Sequence, residues 1–134
     1  MLRKAVLISS LVLLLVCVRC DSEGAGESMV KLQKQDDGGS FIIEVGSVVF
    51  IELEETGATG YLWLLDALDQ RLFDLVRVDS RTREANGKLG APIMKVWELR
   101  AKHKGKTSLG FSYCRPWEGK EVSLDRFMVE ITIQ

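Results

Sequence analysis

The stretch "SLDRFMVEITI", Ser123 to Ile133, decides the fold. Phe127, Val129, Ile131 and Ile133 fall on every second position, and Arg126, Met128, Glu130 and Thr132 fill the places between them. Side chains of an extended strand point alternately to opposite faces, so this spacing builds one apolar face and one mostly polar face. A helix would scatter both sets around its axis. The same period recurs upstream in "TSLGFSYC", where Leu109, Phe111 and Tyr113 share one face and Ser108, Gly110, Ser112 and Cys114 the other.

Further back, "PIMKVWELRA" (Pro92 to Ala101) reads as a long strand carrying Trp97 and Leu99, and "KHKGK" (Lys102 to Lys106) turns it into the next. "FIIEV" (Phe41 to Val45) and "VVFIELE" (Val48 to Glu54) are separated by Gly46-Ser47 alone. A two-residue gap of this composition predicts a β-hairpin. "LLDALDQRLFDLV" is ambiguous, because Leu65, Leu68, Leu72 and Leu75 are spaced by three and four residues, as on a helix. It follows the β-rich "YLWLL", however. The expectation is a strand over Tyr61 to Leu65, one helical turn near Asp69 to Leu72, and a strand over Phe73 to Val78. Seven or eight short strands with turns between them make an all-β sandwich.

The chain has 134 residues, one domain's worth. Arg3 and Lys4 precede the apolar run Ala5 to Val18, which is too short for the roughly 20 residues that cross a bilayer. This pattern predicts a signal peptide over residues 1–20, with cleavage as late as residue 26, and an exported protein, secreted or periplasmic. A buried N-terminal helix is the competing reading, disfavoured because the run has neither a cap nor a polar face. Cys20 lies where a bacterial lipoprotein would carry its lipid, but Arg19 stands where that processing needs a small residue. Membrane attachment is therefore expected only through a lipid on Cys20. Residues 21–28, "DSEGAGES", are a linker, and 29–134 are the folded domain.

Removing residues 1–20 leaves 15 basic against 19 acidic residues, a net charge of about −4. That surface has no basic cluster for phosphates, which argues against nucleic acid as a partner. Cys114 is then the last thiol if Cys17 and Cys20 depart together. No internal disulfide can form, so the core has to stabilise the domain unaided. Cys114 itself suits a small buried strand position better than a reactive one. His103 is the single histidine and lies in a basic turn; no G-x-S-x-G motif accompanies it, which argues against a catalytic triad. No Cys/His spacing suits zinc, and the acids are too scattered for calcium. No cofactor is expected.

Three connections differ from the short turns. They are "EETGATGYLW" (Glu54 to Trp63), "SRTREANGKLGAP" (Ser80 to Pro92) and "CRPWEGKEV" (Cys114 to Val122). On the strand assignment they occupy alternate connections, which a sandwich gathers at one end. Trp117 in the third either folds back onto the core or is held out for a partner. Pro116 before it fixes φ and would present it with little entropy left to lose.

In this order the three connections resemble those of the chagasin family of cysteine-protease inhibitors. "TGATGY" (Thr56 to Tyr61) stands where the family has an "NPTTG"-like loop running into an aromatic. "LGAP" (Leu89 to Pro92) stands for its glycine-rich loop, and "RPW" (Arg115 to Trp117) matches identically. "SLDRFMVEI" is similar to the family's final strand, and the resemblance runs from Val30 onward. Thr56-Gly57 replaces the family's Asn-Pro, and Ala58 its central threonine; Thr59, Gly60 and Gly90 match. The second glycine of the middle loop falls at Pro92 or Ile93.

The resemblance implies an immunoglobulin-like sandwich that is not an enzyme and acts as a monomer. Its partner would be a papain-like cysteine protease, with the three loops wedged into the active-site cleft. The contact residues would be Thr56, Gly57, Ala58, Thr59 and Gly60, then Leu89, Gly90, Ala91 and Pro92, then Arg115, Pro116 and Trp117. Trp117 would be the energetic anchor. Arg115 would brace the loops or pair with an acid on the enzyme, and the first is favoured. Tyr61 is expected as a core aromatic beneath the first loop. The alternative function is an extracellular immunoglobulin-like binding or adhesion module that inhibits no protease.

Overall fold

Phe127, Val129, Ile131 and Ile133 are buried to 2 % exposure or less, while Arg126, Met128 and Glu130 face solvent. The computed structural model describes residues 27–82 and 91–134. Within them lie eight strands: β1 (Met29–Gln33), β2 (Ser40–Ile43), β3 (Val48–Glu55), β4 (Leu62–Ala67), β5 (Phe73–Thr82), β6 (Ile93–Ala101), β7 (Gly105–Cys114) and β8 (Asp125–Ile133). Single 3-10 turns occur at Lys34–Asp36 and Lys120–Val122. The strands form two four-stranded sheets, ordered β1-β3-β6-β5 and β2-β8-β7-β4. The chain is thus all-β and two-layered, as its alternation predicts.

The core lies between the sheets. Val49, Ile51, Leu53, Trp97 and Leu99 from the first face Leu109, Phe111, Phe127, Val129 and Ile131 from the second. Trp97 meets Phe111 edge-on with ring centroids 4.7 Å apart, an arrangement aromatic quadrupoles favour. Fully burying each such apolar side chain stabilises by about 1.5–3 kcal/mol, so a core of this extent needs no disulfide. Cys114 is a buried free thiol.

Two points differ from the expectation. First, β2 and β3 do not form a hairpin. β2 pairs in parallel with β8, whereas β3 pairs in parallel with β1 and antiparallel with β6. The Gly46-Ser47 turn instead crosses from one sheet to the other. Gly46 N–H donates to Ala101 O at 2.9 Å and Ala101 N–H to Ser47 O at 2.9 Å, so the turn's polar groups belong to the end of β6.

Second, β1 is a strand that period-two reasoning passes over, because a single residue in it, Leu32, is buried. The second face of β7 is covered near its end, and Cys114 takes the small buried position expected of it. Ser112 and Cys114 are buried beneath the segment after β7, which Lys120 ties down through an ion pair with Asp66 at 3.0 Å. Ser112 Oγ donates to the same carboxylate at 2.6 Å. The ambiguous leucine-rich segment resolves as anticipated into a strand, one turn and a strand. Leu72 N–H and Phe73 N–H both donate to Asp69 O, at 3.0 and 2.9 Å. β5 then runs four residues beyond the expected Val78.

Candidate functional site: a three-loop end

Strand register brings the three connections to the same end. Glu55 and Thr82 both lie opposite Ile93 in the first sheet. Leu62 lies opposite Cys114, and Tyr113 opposite Asp125, in the second. The first loop leaves β3 and enters β4, the second joins β5 to β6, and the third joins β7 to β8.

The first loop is a tight bend. Thr59 donates to Thr56 O from Oγ1 at 3.0 Å and from its N–H at 3.4 Å, while Thr56 N–H donates to the Tyr113 hydroxyl at 3.2 Å. Thr56, Gly57, Ala58 and Thr59 are exposed at its tip. Gly60 closes it with φ +77, a conformation that L side chains rarely adopt. A Cβ there would also sit 2.7 Å from Cη2 of Trp117, so the tryptophan ring lies against the glycine's bare backbone. First and third loops therefore touch.

The third loop opens with a β-turn closed by Glu118 N–H donating to Arg115 O at 3.0 Å. Pro116 occupies its second position, where a preset φ is favoured, and Trp117 the third. Trp117 is 72 % exposed, which removes the reading of a core ring. Arg115 is the brace. Its Nε donates to Thr59 O at 3.1 Å and its guanidinium pairs with Glu118 at 3.2 Å. The same group lies 4.5 Å from the Tyr61 ring centroid and 6.0 Å from that of Trp117, so cation–π attraction joins both aromatics.

Tyr61 is half-buried rather than a core residue. It tilts against Tyr113 at 5.6 Å, and Tyr113 against buried Trp63 at 5.0 Å. The rings lead from the core out to the loop tip. Of the second loop, Ala91 and Pro92 are half-buried at the foot of β6. Leu89 and Gly90 lie outside the described residues. Ile93, the first residue of β6, would meet a Cβ on Gly57 at 3.0 Å, which ties this connection to the first loop.

Sequence reasoning missed the supports of the first loop. Buried Glu55 accepts from Trp63 N–H at 2.8 Å, Lys95 donates to Trp63 O at 3.0 Å, and Trp63 Nε1–H donates to Glu54 O at 3.0 Å. The available signal was a charge inside an apolar run, Lys95 in "PIMKVW" and Glu55 ending "VVFIELEE".

A family model described as Chagasin family peptidase inhibitor I42 matches residues 42–131 of the 134. Chagasin from Trypanosoma cruzi is 26% identical over 102 residues, 74% of this chain and 93% of that protein. The cysteine protease inhibitor EhICP2 from Entamoeba histolytica is similar in structure, with a TM-score of 0.73 at 22% identity, over 80% of this chain and 96% of its own. PbICP-C, whose structure is in complex with falcipain-2, gives 0.55 at 20% identity, over 80% and 99%. The structural likenesses bear on the fold, an immunoglobulin-like sandwich. With the family model spanning about two thirds of its length, the chain belongs to the chagasin family of peptidase inhibitors.

Proposed function

We propose that this peptidase inhibitor blocks papain-like cysteine proteases by seating its three-loop end in the active-site cleft. The observation that carries the reading is Trp117, a large ring 72 % exposed yet fixed by Pro116, Arg115 and the bare backbone of Gly60. An exposed aromatic held by a rigid turn loses little entropy on binding, and interface hot spots are rich in Trp and Arg. Thr56, Gly57, Ala58 and Thr59 form the adjacent tip; the small side chains there let main chain approach a catalytic cysteine closely. Leu89, Gly90, Ala91 and Pro92 complete the wedge on the second loop. Three loops of this size can bury the roughly 1,600 Å² common to protease–inhibitor contacts. The domain acts as a monomer and brings no chemistry of its own.

Arg3, Lys4 and the apolar run to Val18 support export, with residues 1–20 as a signal and lipid attachment only at Cys20. Mass measurement of the exported protein gives the cleavage point and any lipid. For the inhibition itself, papain or a cathepsin is titrated with the purified protein. Stoichiometric loss of activity is expected. No slowing at micromolar concentrations would leave an adhesion module as the better reading.

A further inference from the structure

Among the described residues β4 is an edge strand, with β7 beside it on one side only. Edge strands carry main-chain groups without a ladder partner. Trp63, near the start of β4, finds its partners across the sandwich. Glu55, the last residue of β3, is 4 % exposed, and its Oε1 accepts from Trp63 N–H at 2.8 Å. Lys95 of β6 donates from Nζ to Trp63 O at 3.0 Å and stands 3.6 Å from the same Glu55 Oε1. A third bond runs from the Trp63 indole N–H to Glu54 O. These groups come from both stems of the first loop and from the strand that follows the second loop.

We propose that Glu55 and Lys95 are positioning residues that lock the base of the first loop, and that this lock keeps the loop from being cut by the protease it blocks. The inference rests on the docking reading above. Proteases cleave segments they can draw out in extended form. Six extended residues, the number from Thr56 to Tyr61, would span about 20 Å. A chain whose stems are joined at 2.8 Å between Glu55 and Trp63 cannot reach that span without breaking the lock. The charged pair suits the task, because separating Glu55 from Lys95 would leave a carboxylate uncompensated in a buried site.

The test compares the wild type with Glu55→Ala, Glu55→Gln and Lys95→Met. Each is titrated against papain, incubated with it for hours, examined by mass spectrometry for cuts within residues 56–61, and followed by amide hydrogen exchange when free. Glu55→Ala and Lys95→Met should weaken inhibition by about tenfold or more, become cut within 56–61, and expose the Trp63 amide to faster exchange. Glu55→Gln keeps an acceptor for Trp63 N–H and should recover part of each effect. The Val129 amide in β8 should exchange as in the wild type. Variants that inhibit normally, stay intact and protect Trp63 would overturn the proposal. So would exchange that accelerates equally at Trp63 and Val129, since the pair would then serve global stability alone. A wild type that fails to inhibit papain overturns the docking reading instead, and the lock is then decided by the exchange of Trp63.

Discussion

The two ends of this sandwich are closed by different kinds of bond. Away from the three loops, main chain meets main chain. Gly46 N–H reaches Ala101 O, Ala101 N–H reaches Ser47 O, Lys102 N–H reaches Leu72 O and Gln134 N–H reaches Ile43 O, all between 2.8 and 2.9 Å. At the loop end main-chain bonds also close the turns within the first and third connections, but the first loop and its stem are tied to their neighbours by side chains. The Tyr113 hydroxyl, the Arg115 guanidinium, the Glu55 carboxylate and the Lys95 ammonium each hold a main-chain group of the first loop or its stem. A main-chain bond survives almost any substitution other than proline. A side-chain bond is lost with its residue. The fold is therefore anchored where mutation has little grip, and the binding surface is shaped where single substitutions act.

The comparison makes graded predictions. The largest effect is expected for Trp117→Ala, which should weaken inhibition by about 2 kcal/mol or more, roughly thirtyfold, with an almost unchanged melting temperature. A large drop in melting temperature would mean that the ring contributes to the core after all. Gly60→Ala comes next. The new Cβ meets Trp117 at 2.7 Å in a positive-φ backbone, so about 1–2 kcal/mol of stability should be lost together with inhibition. Gly46→Ala at the other end is its control. There φ is +89 but no atom lies within 4 Å of the added carbon, so about 1 kcal/mol of stability should be lost with inhibition intact. Weaker inhibition by Gly46→Ala in a protease titration would show that the two ends are coupled.

The smallest effect concerns pH. The Met128 N–H, followed by the Lys34 ammonium, holds the Asp37 carboxyl below its ordinary value. A depressed carboxyl contributes stability that is present above its unfolded value, about 3.9, and is lost as pH falls through the folded value below that. Thermal unfolding should therefore be flat from neutrality to about pH 5 and fall below about pH 4. Asp37→Asn should shallow that fall, modestly because the side chain is 39 % exposed and screened by solvent. An unchanged acid limb would remove Asp37 from the account.

Much of this was legible in the residues, and the remainder divides by range of interaction. Alternation sufficed for β8, because its neighbours bury one face and leave the other wet. It sufficed for one face of β7, but the lid over Ser112 and Cys114 comes from residues further along and leaves no mark in the strand's own period. Gly46-Ser47 looked like a hairpin because local spacing cannot report which sheet a strand will join. In the site, "RPW" and the Gly60 bend carried their meaning in a few consecutive residues. Glu55 and Lys95 are 40 positions apart and meet only when β3 pairs with β6, where they are diagonal neighbours on the two strands. No motif could have announced that pair.

The place of β8 has a consequence for how the protein is made. It is the eighth strand along the chain, yet it stands inside its sheet between β2 and β7. Among the described residues β2 has no other strand beside it, and Phe127, Val129 and Ile131 supply part of the buried floor. A nascent chain still lacking those residues can neither finish the second sheet nor seal the hydrophobic layer. It stays open until β8 has emerged from the ribosome, then closes through contacts between distant segments, on the millisecond-to-second scale typical of such topologies.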